Sequence, residues 1–157
     1  MKYKRGLFVF EQDLRIQDNA ALAKIAQSVE RLDCVYIYDA NLYTKPEHFN
    51  CRSRGTLPTL FLWQTLRELD RSLQTYGQNL KVIFGSHEHE IINCVTNKKI
   101  DYLVKGSSFG VNEQKLESQI FTSLEEINHQ ADQTGTNDKN TRAAMLRSEY
   151  IVCVCVD

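Results

Sequence analysis

Short apolar segments alternate with longer amphipathic segments along the chain, and this alternation predicts the secondary structure. Five apolar segments have the length and the β-branched and aromatic content of strands: Lys4–Phe10, Leu32–Tyr38, Leu80–Phe84, Ile100–Val104 and Tyr150–Val156. The four segments between them repeat apolar residues every three or four positions, which is the spacing of a helix with one buried face. The longest of these helices are predicted at about Leu57–Tyr76 and Asn112–Gln130.

The order β-α-β-α-β-α-β-α-β predicts an α/β fold. We expect a Rossmann-like, doubly wound sheet of five parallel strands in the order 3-2-1-4-5, with helices on both faces. Residues 1–157 are predicted to form a single domain, in which the polar stretch 131–147 is a mobile loop. Sheets of this kind bind ligands outside the carboxyl ends of their strands, where the strand order reverses.

Three loops are expected to line that crevice: Glu11–Asp18, Lys105–Gly110 and the long polar segment Asp39–Gly55. The candidate binding residues lie in these loops or at their edges: Glu11, Gln12, Asp13, Arg15, Asp39, Lys105, Gly106, Ser107 and Ser108. Asp39 could accept a hydrogen bond from a ribose hydroxyl group. The Gly/Ser turn after strand four could bind an anion through its backbone N–H groups, although a plain turn is the other interpretation. Asp18 or Asn19 is a suitable N-cap for the first helix.

Composition and charge exclude several classes of function. The formal net charge of the 157 residues is −1, so DNA binding by this chain alone is not expected. No apolar run approaches the roughly 20 residues that span a bilayer, so no membrane association is predicted. The five cysteines form no C-x-x-C pair and are expected to be reduced thiols of a cytoplasmic protein.

No metal site and no catalytic set of residues is predicted. The segment His87-Glu88-His89-Glu90 lacks the H-E-x-x-H spacing of a zinc site, and we expect it to be a solvated helix start. The last strand, Tyr150–Val156, is apolar and would lie at an edge of the sheet, where unpaired backbone groups attract another strand. This edge predicts a homodimer, or a partner chain that covers it.

Two segments resemble the DNA photolyase/cryptochrome family. The first carries Asp13-Leu14-Arg15, Asp18-Asn19 and Ala21-Leu22, and the second carries Gly55, Phe61-Leu62, Leu66, Leu69-Asp70 and Leu73. The chain departs from the family pattern at the strand tryptophan, the basic pair and the helix arginine, which are Val9, Glu11-Gln12 and Pro58 here.

The resemblance implies the amino-terminal, antenna-type α/β domain of that family without its helical FAD-binding domain. No catalytic FAD site is then expected in this chain, which alone would not catalyse repair. The implied function is a stand-alone, non-catalytic module that binds a nucleotide or an antenna-type chromophore (flavin, deazaflavin or pterin), or that serves in protein interaction. The alternative is the truncated amino-terminal part of a DNA photolyase, an enzyme of light-dependent pyrimidine-dimer repair. The loop after strand four has no carboxylate, which disfavours a folate-type antenna.

Overall fold

The computed structural model describes residues 3–40, 56–106, 118–120, 122–124, 126, 146–148 and 151–155. Its elements are β1 (Tyr3–Phe10), α1 (Ala20–Ser28), β2 (Val29–Tyr38), α2 (Thr56–Gln74), β3 (Leu80–Phe84), α3 (His87–Lys98), β4 (Tyr102–Gly106), β5 (Leu146–Ser148) and β6 (Ile151–Cys155). Residues 118–120, 122–124 and 126 are also helical. No helix in these described ranges is long and apolar enough to cross a membrane, and the cytoplasmic location stays a prediction.

The first four strands form a parallel sheet in the predicted order β3-β2-β1-β4. In the middle of the sheet, Phe8 of β1 lies between Cys34 of β2 and Val104 of β4. Because all four strands run in the same direction, their carboxyl ends meet at one edge of the sheet. The point at which the chain order reverses lies between β1 and β4, as the pattern of elements predicts.

Each face of the sheet has its own hydrophobic core. On one face, Phe8 and Phe10 pack with residues of α1 and α2. On the other face, Leu7 and Val9 pack with α3 and with Ile120 and Leu124 of the later helical residues. Successive residues of a strand point to opposite faces, so the continuous apolar run of β1 supplies both cores. The prediction of helices on both faces is confirmed.

Local sequence signals set the ends of the first two helices. Asn19 is the N-cap of α1, and its Oδ1 accepts a hydrogen bond from the backbone N–H of Leu22 at 3.0 Å. Gly77 has a φ of 72°, a left-handed conformation that ends the turn after α2. The apolar spacing of the second helix continues to Tyr76 and would bury this side chain, but the turn carries it outward and it is exposed. Val29 continues the apolar spacing of the first helix, but it is the first residue of β2.

The prediction of a fifth parallel strand is wrong. β6 pairs with β4 in the antiparallel direction, and the short strand β5 pairs with β6 at the outer edge. Only two residues separate β5 from β6 in the sequence, which accounts for the antiparallel direction of that pair. Of the predicted loop 131–147, residues 146–147 belong to β5 and the rest lies outside the described residues.

The position of β5 also changes the prediction about assembly. The last strand has a neighbour on each side, so the edge of the sheet at this end is Leu146–Ser148. The argument for a partner chain on Tyr150–Val156 therefore loses its premise, and the homodimer itself stays a prediction.

Candidate functional site

Four titratable side chains converge at the carboxyl end of the parallel sheet. We call Glu11, Asp39, His87 and Lys105 the carboxyl-edge quartet. Glu11 follows β1, Asp39 follows β2, His87 opens the helix that follows β3, and Lys105 lies in β4. Between 5 and 15% of each side chain is exposed. Each parallel strand thus delivers one ionisable group to the same largely buried place.

The alternation of strand residues explains why three of these side chains lie on the same face. Glu11, Asp39 and Lys105 each stand two residues after an apolar residue of the α3-side core, namely Val9, Ile37 and Leu103. A separation of two residues along a strand places side chains on the same face of the sheet. The quartet is therefore the polar continuation of the α3-side core toward the carboxyl edge.

Glu11 is the common partner within the quartet. The Nζ atom of Lys105 lies 3.0 Å from Oε1 of Glu11, which is the distance of a charge-assisted hydrogen bond. Nε2 of His87 lies 3.9 Å from that same oxygen, and Nδ1 of His87 lies 4.0 Å from Oδ2 of Asp39. Both histidine distances are too long for hydrogen bonds, so the imidazole ring stands between two carboxylates without bonding to either.

Asp39 holds the start of α3. Its Oδ2 atom accepts a hydrogen bond from the backbone N–H of His87 at 3.2 Å. Ser86 occupies the N-cap position but makes no capping bond with its side chain. The Asp39 carboxylate therefore satisfies an N–H group at the positive end of the helix dipole, a favourable place for a negative charge.

His87 is the residue that the sequence analysis missed. The prediction of a solvated helix start is wrong for it, because its side chain is only 9% exposed. Its Nδ1 atom is buried and has no hydrogen-bond partner among the described residues. Burial lowers the pKa of His87, the Lys105 charge lowers it further, and the carboxylates of Glu11 and Asp39 oppose this shift. His87 is therefore neutral at neutral pH.

The other predicted site residues do not join the quartet. Gln12 is exposed. Nε of Arg15 pairs with Oδ1 of Asp13 at 2.7 Å, and both side chains are 57% exposed. Arg15 lines an open groove of about 460 Å³ between its own loop and α2, on the opposite face of the sheet from the quartet. Gly106 is the last residue of β4, and Ser107 and Ser108 lie outside the described residues.

An aromatic stack borders the same end of the sheet on the α2 face. The ring of Trp63 lies 5.5 Å from that of Tyr38 and 5.8 Å from that of Phe84, and both pairs are stacked. Tyr38 ends β2 and Phe84 ends β3, so both strands carry an aromatic residue at their carboxyl ends. No three His, Cys, Asp or Glu side chains in the described part of the chain are arranged to hold a metal ion.

Comparison with known proteins identifies the family. A family model described as DNA photolyase matches residues 7–139. The chain belongs to the DNA photolyase family. A cryptochrome DASH from Idiomarina loihiensis is 31% identical over 112 residues, which are 71% of this chain and 25% of that protein. The photolyase-family chain thus spans about a quarter of the length of this relative.

Solved structures of photolyases and cryptochromes share the fold. The Synechocystis sp. PCC6803 cryptochrome matches 81% of this photolyase-family chain with a TM-score of 0.70 and 24% identity, over 26% of its own chain. A Sulfolobus tokodaii photolyase, described as holding two FAD molecules and as implying a novel light-harvesting cofactor, matches 78% with a TM-score of 0.66 and 24% identity, over 27% of its own chain. The α/β fold predicted from the sequence is that of these proteins' matching segments.

Proposed function

We propose that this chain is a ligand-binding α/β module of the photolyase/cryptochrome type, which holds a chromophore or a nucleotide at its carboxyl edge and is not itself catalytic. The observation that carries the proposal is the carboxyl-edge quartet. Its four ionisable groups come from four strands and are largely removed from water. Buried charges are costly for stability, and clusters of them mark functional sites more often than chance.

The position of the quartet supports the proposal. It lies at the carboxyl ends of the strands and includes both sides of the place where the strand order reverses, between β1 and β4. Ligand sites combine apolar and aromatic surroundings with a few polar groups that fix orientation. The quartet supplies the polar groups on the α3 face, and the Tyr38–Trp63–Phe84 stack borders the same end of the sheet on the α2 face. The description of the Sulfolobus tokodaii photolyase names FAD and a light-harvesting cofactor, which favours a chromophore.

Absorbance spectroscopy and titration test this function. We expect the purified protein either to absorb in the near-ultraviolet and blue as isolated, or to show a raised melting temperature with FAD, FMN or AMP. Glu11→Gln should strengthen the binding of a responding ligand with an anionic group by roughly three- to tenfold, because it removes one carboxylate charge from the carboxyl edge and ends the ion pair that holds Lys105. Asp13→Asn is the matched control, since Asp13 carries the same charge on the same loop, but its ion pair with Arg15 is exposed to solvent.

Two outcomes of these measurements would count against the proposed site. A colourless protein whose melting temperature responds to none of these ligands would contradict the proposal. Equal changes of affinity in Glu11→Gln and Asp13→Asn would place the ligand elsewhere on the chain.

The second candidate function is the amino-terminal part of a full-length DNA photolyase. The share of the relatives that the chain covers favours this candidate, since the match takes up only 25% of the cryptochrome DASH and 26% of the Synechocystis cryptochrome. The nucleotide sequence downstream of the codon for Asp157 provides the test. An open frame that encodes a helical FAD-binding domain supports it, and an immediate stop codon followed by unrelated sequence contradicts it.

A further inference from the structure

We propose that His87 is a proton-responsive switch of the carboxyl-edge quartet, in which a proton on the imidazole draws Glu11 away from Lys105 and makes the edge more receptive to an anionic ligand group. As regulation of the ligand site, this inference rests on the proposed function. The proton step belongs to the ligand-free protein, however, and can be measured there.

The switch depends on one shared oxygen atom. Oε1 of Glu11 is paired with Nζ of Lys105 at 3.0 Å and faces Nε2 of His87 at 3.9 Å. With a neutral imidazole, the ammonium group is the stronger partner of this oxygen. A protonated imidazole carries a full positive charge and an N–H group at Nε2, so it competes for the same carboxylate.

The second ring nitrogen of His87 faces a second carboxylate, that of Asp39. Nδ1 of His87 lies 4.0 Å from Oδ2 of Asp39 and lacks a hydrogen-bond partner among the described residues. Protonation supplies N–H groups at both ring nitrogens, and each then faces a carboxylate oxygen. A movement of about 1 Å on each side would turn both distances into charge-assisted hydrogen bonds.

The charges around the imidazole come from three neighbouring elements: Glu11 after β1, Asp39 after β2 and Lys105 in β4. With His87 neutral, two carboxylates face one ammonium group, and the quartet has an excess of one negative charge. With His87 protonated, the charges balance. An anionic ligand group is therefore repelled less after the proton is bound, and the Lys105 ammonium is less tightly held by Glu11.

The direction of the histidine shift places the switch on the acid side of neutrality. Burial and Lys105 lower the pKa of His87, while Glu11 and Asp39 prevent it from falling as far as burial alone would take it. The neutral ring is thus the resting form at neutral pH, and the carboxylates are the groups that allow proton uptake under acidic conditions.

The first experiment follows the ligand-free chain of 157 residues by NMR over a range of pH. The signals of the His87 ring, the Glu11 carboxyl carbon and the Lys105 side chain near Nζ should change together with one midpoint, below the ordinary histidine pKa of about 6.5. Glu11→Gln removes a charge that raises the pKa, so it should lower the midpoint of His87. His89→Gln, an exposed histidine two residues further along α3, is the matched control and should leave the shared midpoint in place.

Three results would overturn the switch. They are a His87 ring that does not titrate before the protein unfolds, Lys105 signals that stay constant across the His87 midpoint, and a shared midpoint that persists in His87→Gln. If His87→Gln does not fold, the wild-type titration still decides, because a histidine with a purely structural role would not move the Glu11 and Lys105 signals.

The second experiment measures FAD affinity about one pH unit above and about one pH unit below the His87 midpoint found by NMR, so that the imidazole is mostly neutral at one pH and mostly protonated at the other. We expect the affinity of the wild type for FAD to rise roughly three- to tenfold on acidification, because protonated His87 neutralises the one excess negative charge of the quartet. The His87→Gln variant should show no such rise, and the His89→Gln variant should behave as the wild type. Absence of FAD binding at both pH values counts against the ligand site and leaves the NMR result to decide the proton step. FAD binding that is independent of pH while the NMR coupling is present would overturn the link to ligand.

Discussion

The two ends of the parallel sheet both carry buried or partly buried charges, but they satisfy them differently. At the amino end, Arg5, Asp33, Lys98 and Asp101 form a closed network. At the carboxyl end, the quartet includes an imidazole that approaches two carboxylates without bonding to them. The same strands, β1 and β2, supply members of both clusters.

The amino-end network satisfies its donors on several sides. Nε and Nη2 of Arg5 donate to Oδ2 of Asp33 at 3.1 and 2.8 Å, and Nη1 donates to the carbonyl oxygen of Lys98 at 3.2 Å. The Nζ atom of Lys98 reaches the same Asp33 oxygen at 3.4 Å. Asp101 accepts a hydrogen bond from the backbone N–H of Arg5 at 2.9 Å. This network ties β1, β2 and the end of α3 together.

The difference separates a structural cluster from a candidate functional one. A network whose donors and acceptors are matched stabilises a single arrangement. A buried group without a partner costs stability, and it persists in native proteins where another demand requires it. The amino end therefore has the features of a structural tie, and the carboxyl end has those of a site.

The largest effect on stability is expected at the amino end. Arg5→Met leaves Asp33 without its bidentate partner and should lower the free energy of unfolding by about 2–3 kcal/mol, since the pair is mostly buried. Arg15→Met, which breaks the exposed pair with Asp13, should cost less than about 0.5 kcal/mol. Urea unfolding measures both, and equal losses would show that the amino-end network is not a structural tie.

A smaller effect compares two helices that begin at the carboxyl end. Asn19→Ala removes the cap of α1 and should cost about 1 kcal/mol. Ser86→Ala, at the corresponding position of α3, should change stability very little because the Ser86 side chain makes no capping bond. A clear loss in Ser86→Ala by urea unfolding would contradict our view that Asp39 has taken over this role.

The smallest effect is a difference in pH dependence. The folded pKa of His87 lies below its unfolded value of about 6.5, so the unfolded chain binds the proton more readily. The contribution of His87 to stability is therefore present above about pH 6.5 and falls as the pH drops toward the folded pKa. Relative to His87→Gln, the wild type should lose melting temperature on acidification, and the His87-dependent part of this loss should persist in Arg5→Met. A loss of equal size in wild type and His87→Gln would assign the pH dependence to other groups.

Much of the fold follows from short-range sequence signals. The apolar runs predict buried parallel strands, and the alternation of strands and helices predicts the order β3-β2-β1-β4 that the sheet has. Asn19 begins α1 and Gly77 ends the turn after α2, each through local backbone chemistry that a single residue specifies. The leucine stripe of α2 is buried as its spacing predicts, at Leu62, Leu66, Leu69 and Leu73.

The carboxyl end of the chain and the burial of His87 could not be predicted in the same way. β5 has only three residues, too few to show a period, and its pairing with β6 is a tertiary contact. His87 stands in a charged stretch that is typical of a solvated helix start. Glu11 and Asp39, which directly follow β1 and β2, lie beside it, and this convergence exists only in three dimensions. The spacing Val9-x-Glu11, Ile37-x-Asp39 and Leu103-x-Lys105 was the available signal, since it continues one core face into charged residues.

The fluorescence of Trp63, in the aromatic stack, reports on the carboxyl end of the sheet. Trp63 is the only tryptophan of the chain, and it lies between Tyr38 and Phe84 at the carboxyl end. Its fluorescence emission is consequently local to that end, while the amino-end network contains no indole. A coloured molecule held beside the stack would quench this emission by resonance energy transfer, so steady-state fluorescence would detect occupancy of the carboxyl edge without any label.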